Sequence, residues 1–429
     1  MNLPENGRIV IVDDNYKEAE PIIKILSKNR LPFNYYSGTD IDDFPENNNL
    51  NKLRVLFLDL NIFELSKSTK EVISSIHSIL NRIIPDNPNP FLLIIWSKRR
   101  NDYAKALDDH FKSALKTKIP AKTIYLQKND FLDFIDGKWV PQSDCFERLS
   151  QELSEKLNDI SLIGNLINWE NSIHKSSSNT VNDFTDLFPI DNKWNNNIKC
   201  VIHRLAKSII GNDNIKTASD EEKIVKAFFS LNALLVDNIE SDIIQNGLGS
   251  VSNINDNGGV TKNIVTKLNS KLHTVNKLAD NTYLEPGNVY KLRKNKYLIS
   301  QLLRKETFKS KHDVLVNSEP WLVQLDLTPI CDYSQNKNYV RTVLGLAIDA
   351  EYYNECKRKG DFYYQTSVFK IGSKDRFFLF DFRNIVTLNK ETIEKKKMKP
   401  FIKLRHELYL DIQAQFSNQT NRPGVSVIV

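Results

Sequence analysis

The chain has 429 residues, 40% hydrophobic and 26% charged, with a formal net charge of +6 at pH 7. That length predicts two or three domains of a soluble globular protein, each able to bury an apolar core. No apolar run approaches the roughly 18 to 20 residues that cross a bilayer, and Met1 to Gly7 lack the charged and apolar regions of a signal peptide. A soluble protein with a cytoplasmic location is therefore expected. Cys145, Cys200, Cys331 and Cys356 lie far apart without CxxC spacing, which argues against a disulfide framework and a zinc knuckle and makes free buried thiols the expectation.

Residues 1–142 alternate strand and helix. Strands are expected near 8–13, 33–37, 53–59, 91–97 and 122–128, with helices near 15–29, 67–84 and 100–117. The crossover from Thr39 to Lys52 carries Asp42-Asp43-Phe44-Pro45-Glu46 and is too polar for a normal helix, so a loop or single turn is expected. Four strands end in chemistry. Ile9 to Val12 runs into Asp13-Asp14, Leu53 to Leu58 into Asp59, Phe91 to Trp96 into Ser97, and Thr123 to Gln127 into Lys128. In an open parallel sheet, ligands gather outside the carboxyl ends of the strands, so these side chains can share one crevice. Carboxylates suit a hard cation; a hydroxyl and an ammonium group complete the balance around a phosphoryl group. A single Asp in such a place is usually a turn residue or helix cap, and it is the five positions in order that carry the reading.

That order resembles the receiver domain of two-component response regulators, over about the first 140 residues. The resemblance implies that Asp13 and Asp14, with Asp59, bind Mg²⁺, that Asp59 is phosphorylated, and that Ser97 and Lys128 contact the phosphoryl group. Tyr125 falls where the family has an aromatic residue that changes rotamer with phosphorylation. The chain departs from the family pattern in several places. The intervals of 38 residues from Asp59 to Ser97 and 31 from Ser97 to Lys128 are long, which implies insertions, at Pro85 to Pro90 and in an extended helix from Asn101 to Lys118. Asn129 replaces the usual Pro, and Lys98 stands where a small residue is usual, either slowing water's access to a phosphoryl group or marking a domain that no longer turns over phosphate.

Residues 143–280 read as mainly helical. Phe146, Leu149, Leu153 and Leu157 share one helix face, and Ser219 with Glu222 forms a capping box before Ile224, Phe228, Leu231, Leu235 and Ile239, which are expected in the core. Ile198 to Ile210 is amphipathic and carries His203, for which an ordinary exposed or core role outweighs phosphotransfer. A Gly/Asn/Ser-rich segment, Asn246 to Gly259, precedes a helix from Lys262 to Leu278.

Residues 281–429 read as a mostly antiparallel sheet or barrel. A turn at Glu285 to Asn288 leads into a strand, followed by strands Trp321 to Thr328 and Val340 to Ala347. Phe362 to Ile371 and Phe377 to Phe382 form a hairpin around Gly372-Ser373-Lys374-Asp375, and a closing helix spans Phe401 to Phe416 before the tail Arg422 to Val429. The polar segment Asp326 to Gln335 resembles stretches of bacterial anti-phage defence proteins; Cys331 with Asp332 reads as a nucleophile with its orienter, as a partner contact, or as ordinary turn chemistry. Lys291 to Lys311 holds eight basic residues and one acidic, and Lys395 to Lys399 is a second basic run. These leave a nucleic-acid partner open, although the small net charge favours a solvated face and no nucleic-acid-binding motif accompanies them.

The expected fold is therefore a doubly wound parallel α/β sheet of receiver or flavodoxin-like type, a helical middle region and an antiparallel β-rich output or docking domain. The expected function is Mg²⁺-dependent phosphorylation of Asp59 switching that module, with a sensor kinase or phosphotransfer protein upstream, an output protein downstream and a place in stress or phage defence. Two alternatives remain: a non-phosphorylated receiver-like scaffold, and a phosphoesterase or nuclease using Asp13, Asp14 and Asp59 as metal ligands.

Overall fold

The computed structural model describes residues 3–39, 44, 53–60, 62, 69–86, 88–98, 100–158, 161–249, 254, 258–275, 284–335, 337–357, 360–395 and 398–420. Most of the crossover at 39–52, part of the Gly/Asn/Ser-rich segment, part of the second basic run and the tail from 421 lie outside them. The chain divides into two compact units, Met1–Asp191 with Leu231–Ile254, and Asn192–Ser230 with Asn255–Val429.

In the first unit, aliphatic runs form five parallel strands, β1 (Ile9–Val12), β2 (Phe33–Tyr36), β3 (Val55–Leu58), β4 (Leu92–Ser97) and β5 (Lys122–Gln127), in the order β2-β1-β3-β4-β5. β1, β3 and β4 are buried along their whole length, as befits parallel strands covered on both faces. Alternate side chains feed two cores. Ile9, Ile11, Phe57, Ile94 and Trp96 pack with α1 (Tyr16–Lys28). Val10, Val12, Leu56, Leu58 and Ile95 pack with α2 (Thr69–Ile83) and α3 (Arg100–Ser113). The strand order reverses direction between β1 and β3, the position at which this architecture opens a crevice.

After β5 comes a hairpin that the sequence reading did not anticipate, β6 (Leu132–Ile135) and β7 (Lys138–Pro141). Its two-residue loop is Asp136-Gly137, with φ of 49° and 76°, the left-handed pair that a tight hairpin turn needs. Helix α4 (Cys145–Asn158) then returns Cys145, Leu149, Leu153 and Leu157 to the first core, with Phe146 partly buried beside them. Next comes α5 (Ser161–Thr185), whose Glu170 receives Arg8 at 2.8 Å and Arg54 through Nε at 2.9 Å. Lys175 and Thr180 of α5 bond Asp242 and Asn238 of α7 (Asp220–Asn246), at 2.6 and 3.0 Å.

The second unit begins with α6 (Trp194–Ile210) and the start of α7, where Ser219 Oγ accepts the Glu222 amide at 3.1 Å, as the capping box predicts. The core assignment on α7 is corrected. Ile224 and Phe228 are about half exposed, Leu231, Leu235 and Ile239 are only partly covered, and Ala227 is the buried residue of that helix. Apolar residues are spread around α7 rather than confined to one stripe, so one packed face cannot cover them all.

Helix α8 (Lys262–His273) leads into an eight-stranded sheet whose neighbours all run antiparallel. In chain order come β8 (Thr274–Val275), β9 (Asn288–Lys291), the short helices α9 (Lys296–Leu302), α10 (Lys305–Phe308) and α11 (His312–Asn317), and β10 (Trp321–Asp326). Then follow α12 (Ile330–Ser334), β11 (Tyr339–Asp349), β12 (Tyr363–Gln365), β13 (Phe369–Ile371) and β14 (Lys374–Asn389). The chain closes with α13 (Lys390–Lys395), β15 (Pro400–Leu404) and α14 (His406–Thr420). The strand order is β12-β14-β11-β10-β9-β15-β8, with β13 on β14. The expected closing helix starts later than its apolar spacing suggested, because Pro400 to Leu404 instead pair with β9 and β8. The buried-thiol expectation holds for Cys145 and Cys356, whereas Cys200 and Cys331 are exposed. Among the described residues no helix is long and apolar enough to cross a membrane.

Gly345 marks an irregularity in the β11–β14 pairing. A Cβ there would lie 2.6 Å from the Phe380 ring and 2.7 Å from the Leu379 carbonyl oxygen. Gly345→Ala is therefore expected to destabilise the protein by about 1–3 kcal/mol through overpacking, read as a lower urea midpoint in equilibrium unfolding.

Candidate functional site

The carboxyl ends of β1, β3, β4 and β5 deliver Asp13, Asp59, Ser97 and Lys128 to one edge of the first sheet. Each delivery has a local cause. The Asp13 amide bonds the Tyr36 carbonyl and the Asp59 amide bonds the Val12 carbonyl, at 3.2 and 2.9 Å, so the ladder holds both residues just past its last rungs. Ser97 pairs in register with Gln127, and Lys128 opens a 3₁₀ turn immediately after β5.

Lys128 is the centre of the site. Its Nζ lies 2.6 Å from Asp59 Oδ2, 2.8 Å from Asp13 Oδ2 and 3.0 Å from Glu18 Oε2, and all four side chains are buried. Burial works against the ammonium charge, but Asp59, Asp13 and Glu18 together hold the group protonated above its ordinary range. Burial pushes Asp13 up to about 7; Asp59 adds repulsion and Lys128 opposes both. Asp14 is exposed yet also raised, by desolvation and by Asp59. Desolvation opposes the ionised form of Glu18, and Lys128 and Lys98 outweigh it to bring its pKa below the usual value.

Asp13, Asp14 and Asp59 each bring one carboxylate oxygen within 4.8 Å of the others. Three oxygens so placed fit a hard divalent cation, which prefers carboxylate and water ligands. Ser97 is buried at the end of β4. Tyr125 stands on the other face of the sheet, packed with the α2–α3 core, and its hydroxyl donates to the Ala104 carbonyl of α3 at 3.4 Å.

Two members of the site lie outside the expected set. Glu18 sits three residues after Asn15, the N-cap of α1, whose side chain accepts the Lys17 amide and donates to Glu18 Oε1 at 3.0 Å. The Asn-x-x-Glu spacing after Asp13-Asp14 was the available signal. Lys98, singled out as a departure from the family pattern, places its Nζ 2.7 Å from Glu18 Oε1 and 4.3 Å above the Trp139 ring of β7.

The polar segment of the second unit has a structural explanation. Asp326 accepts the Thr328 amide at 2.9 Å and the Tyr333 hydroxyl, while the Tyr409 hydroxyl donates to the Thr328 carbonyl at 2.8 Å. Cys331 is exposed, with Sγ 3.9 Å from Asp332, and Asp332 is paired with Lys337 at 2.6 Å. That carboxylate is committed to an ammonium group rather than available to orient a base. The basic run from Lys291 is spread over β9, α9, α10 and the segments that join and follow them; Lys291 covers the Trp321 ring at 3.4 Å and Lys294 pairs with Glu319 at 2.6 Å.

Burial raises Asp13 to about 7, so a cation bound among these carboxylates would compete with a proton there at lower pH. Affinity for Mg²⁺ is therefore expected to rise about ten-fold per pH unit up to about pH 7 and then level off. Titrations at pH 5.5, 6.5, 7.5 and 8.5 check this; a flat profile would remove Asp13 from the ligand set. Comparison with known proteins found no matching family model, no matching curated protein and no matching solved structure.

Proposed function

We propose that the chain is a receiver-type signalling protein in which Asp59 accepts a phosphoryl group, with Mg²⁺ held by Asp13, Asp14 and Asp59, and thereby switches an effector or docking module. The observation that carries this reading is the placement of Lys128 against both Asp13 and Asp59 at the carboxyl ends of adjacent parallel strands, with a third carboxylate, Asp14, on the exposed side. When bound, Mg²⁺ supplies neutralising charge for phosphoryl oxygens. An Asp59 oxygen bonds to phosphorus as the bond from phosphorus to the donor's leaving atom breaks, a ring nitrogen in a phosphohistidine or an oxygen in acetyl phosphate, and the leaving group departs with the electron pair. Lys128 and Ser97 then balance the added charge and accept its geometry.

The consequence is a shift between two populated states, with Tyr125 as the readout residue on the α3 side. A sensor kinase or phosphotransfer protein is the upstream partner in this reading, and an output protein is the downstream one. A cytoplasmic location and service in stress or phage defence belong to the same proposal, on the strength of the sequence resemblance.

One observation favours a second reading, in which the pocket is idle and the fold a scaffold. Asp59 is almost completely covered, and Lys128 already pairs with three of the carboxylates there. The two readings separate cleanly. Incubation with Mg²⁺ and acetyl phosphate, followed by intact-mass measurement, is expected to add one phosphoryl group to the protein and none to Asp59→Asn. No addition together with no Mg²⁺ binding would sink the signalling reading and leave the scaffold.

A further inference from the structure

Glu18 divides its two oxygens between two lysines. Oε1 accepts Lys98 at 2.7 Å and Oε2 accepts Lys128 at 3.0 Å, and the carboxylate is buried. Its position is fixed twice more, by the Asn15 amide group on Oε1 and by the Trp96 indole, which donates to the Glu18 carbonyl at 3.0 Å. Lys98 then reaches out of the pocket. Its Nζ lies over Trp139 of β7, and Trp139 contacts Phe134 of β6 with ring centres 5.1 Å apart. A continuous chain of contacts therefore runs from Asp13 and Asp59 through Lys128, Glu18 and Lys98 to the β6–β7 hairpin. The inner links are charges withdrawn from water, where salt screens them weakly.

We propose that Glu18 and Lys98 couple the β6–β7 hairpin to the carboxylate pocket, making Glu18 a positioning residue for Lys128 and the hairpin the element that reports the pocket's state. This rests on the reading of Asp13, Asp14 and Asp59 as a divalent-cation site. A cation beside Asp13 and Asp59 competes for the oxygens that Lys128 holds and repels its ammonium group toward Glu18. Glu18 then has less to offer Lys98, and the hairpin's tether to the sheet loosens. In the opposite direction, losing Lys98 lets Glu18 draw Lys128 more fully, which frees Asp13 and Asp59 for the cation.

The test uses the full chain and two readouts. Without added cation, hydrogen exchange of the amides in 132–141 is expected to speed up about three- to ten-fold in Lys98→Met and in Glu18→Gln, the size expected within one network. The double variant should exchange no faster than either single one. Additive effects, or unchanged exchange in both single variants, would overturn the coupling whether or not the pocket binds a cation.

In Mg²⁺ titrations, Lys98→Met and Trp139→Leu are expected to bind about three-fold tighter and Glu18→Gln about three-fold weaker, again as members of one network. Trp139 is not a pocket ligand, so tightening there requires the relay. Uniform weakening across the three variants would mean general loosening and overturn the proposal. Failure of every variant and of the native protein to bind Mg²⁺ would instead strike the cation-site reading, and the exchange measurement alone would then decide the coupling.

Discussion

The first unit depends on the burial of one ammonium group among carboxylates. Lys128, Asp13 and Asp59 are all withdrawn from water at the carboxyl edge of the sheet, and each offsets part of the cost of burying the others. Removing one partner from such a buried set costs about 3–5 kcal/mol, because the remaining charges lose their compensation. The constraint reaches back into the fold. β1, β3 and β5 must stop in register for the three side chains to meet, and the two apolar cores on either side of the sheet hold that register.

The charges of the pocket do not balance. Four carboxylates, Asp13, Asp14, Asp59 and Glu18, face two ammonium groups, Lys98 and Lys128. If all are ionised, two negative charges are left over. The displacement of Asp13 up to about 7 is the protein's own partial answer, since a proton removes one of those charges. A divalent cation would neutralise both. In the proposed reading proton and metal compete for the same carboxylates, and the direction of the expected pH dependence follows from that competition.

The parallel sheet was legible because its strands are short runs of aliphatic residues that need no long-range information to recognise. The helices between them, and the Ser219 cap, followed from periodicity and capping chemistry. What failed did so for physical reasons. The β6–β7 hairpin is built from Leu132, Phe134 and Trp139 around Asp136-Gly137, a recognisable turn signal whose flanking strands are only four residues each and mostly exposed. Ile224 and Phe228 looked like core because spacing reports which residues share a face, and spacing cannot say whether anything covers that face. Phe401 and Ile402 looked helical until β9 offered backbone partners. Glu18 was missed because its role arises from Lys98 and Lys128, which are 80 and 110 residues away.

Two buried carboxylates, Asp326 and Asp13, differ in how their partners are held. Asp326 and Asp13 are both buried, and desolvation raises both, to about 6 and about 7. Asp326 is surrounded by donors fixed in its own turn, the Thr328 amide and the Tyr333 hydroxyl, with Lys390 acting only at longer range. Those partners cannot be exchanged without dismantling the segment from Asp326 to Tyr333, so the bonds serve to lock the exit of β10. Asp13 instead faces a lysine side chain that has two other carboxylates within reach, and a neighbour, Asp14, open to solvent. The proposed exchange of partners there would break no strand, and Glu18 and Lys98 link Lys128 by contact to the hairpin beyond the sheet.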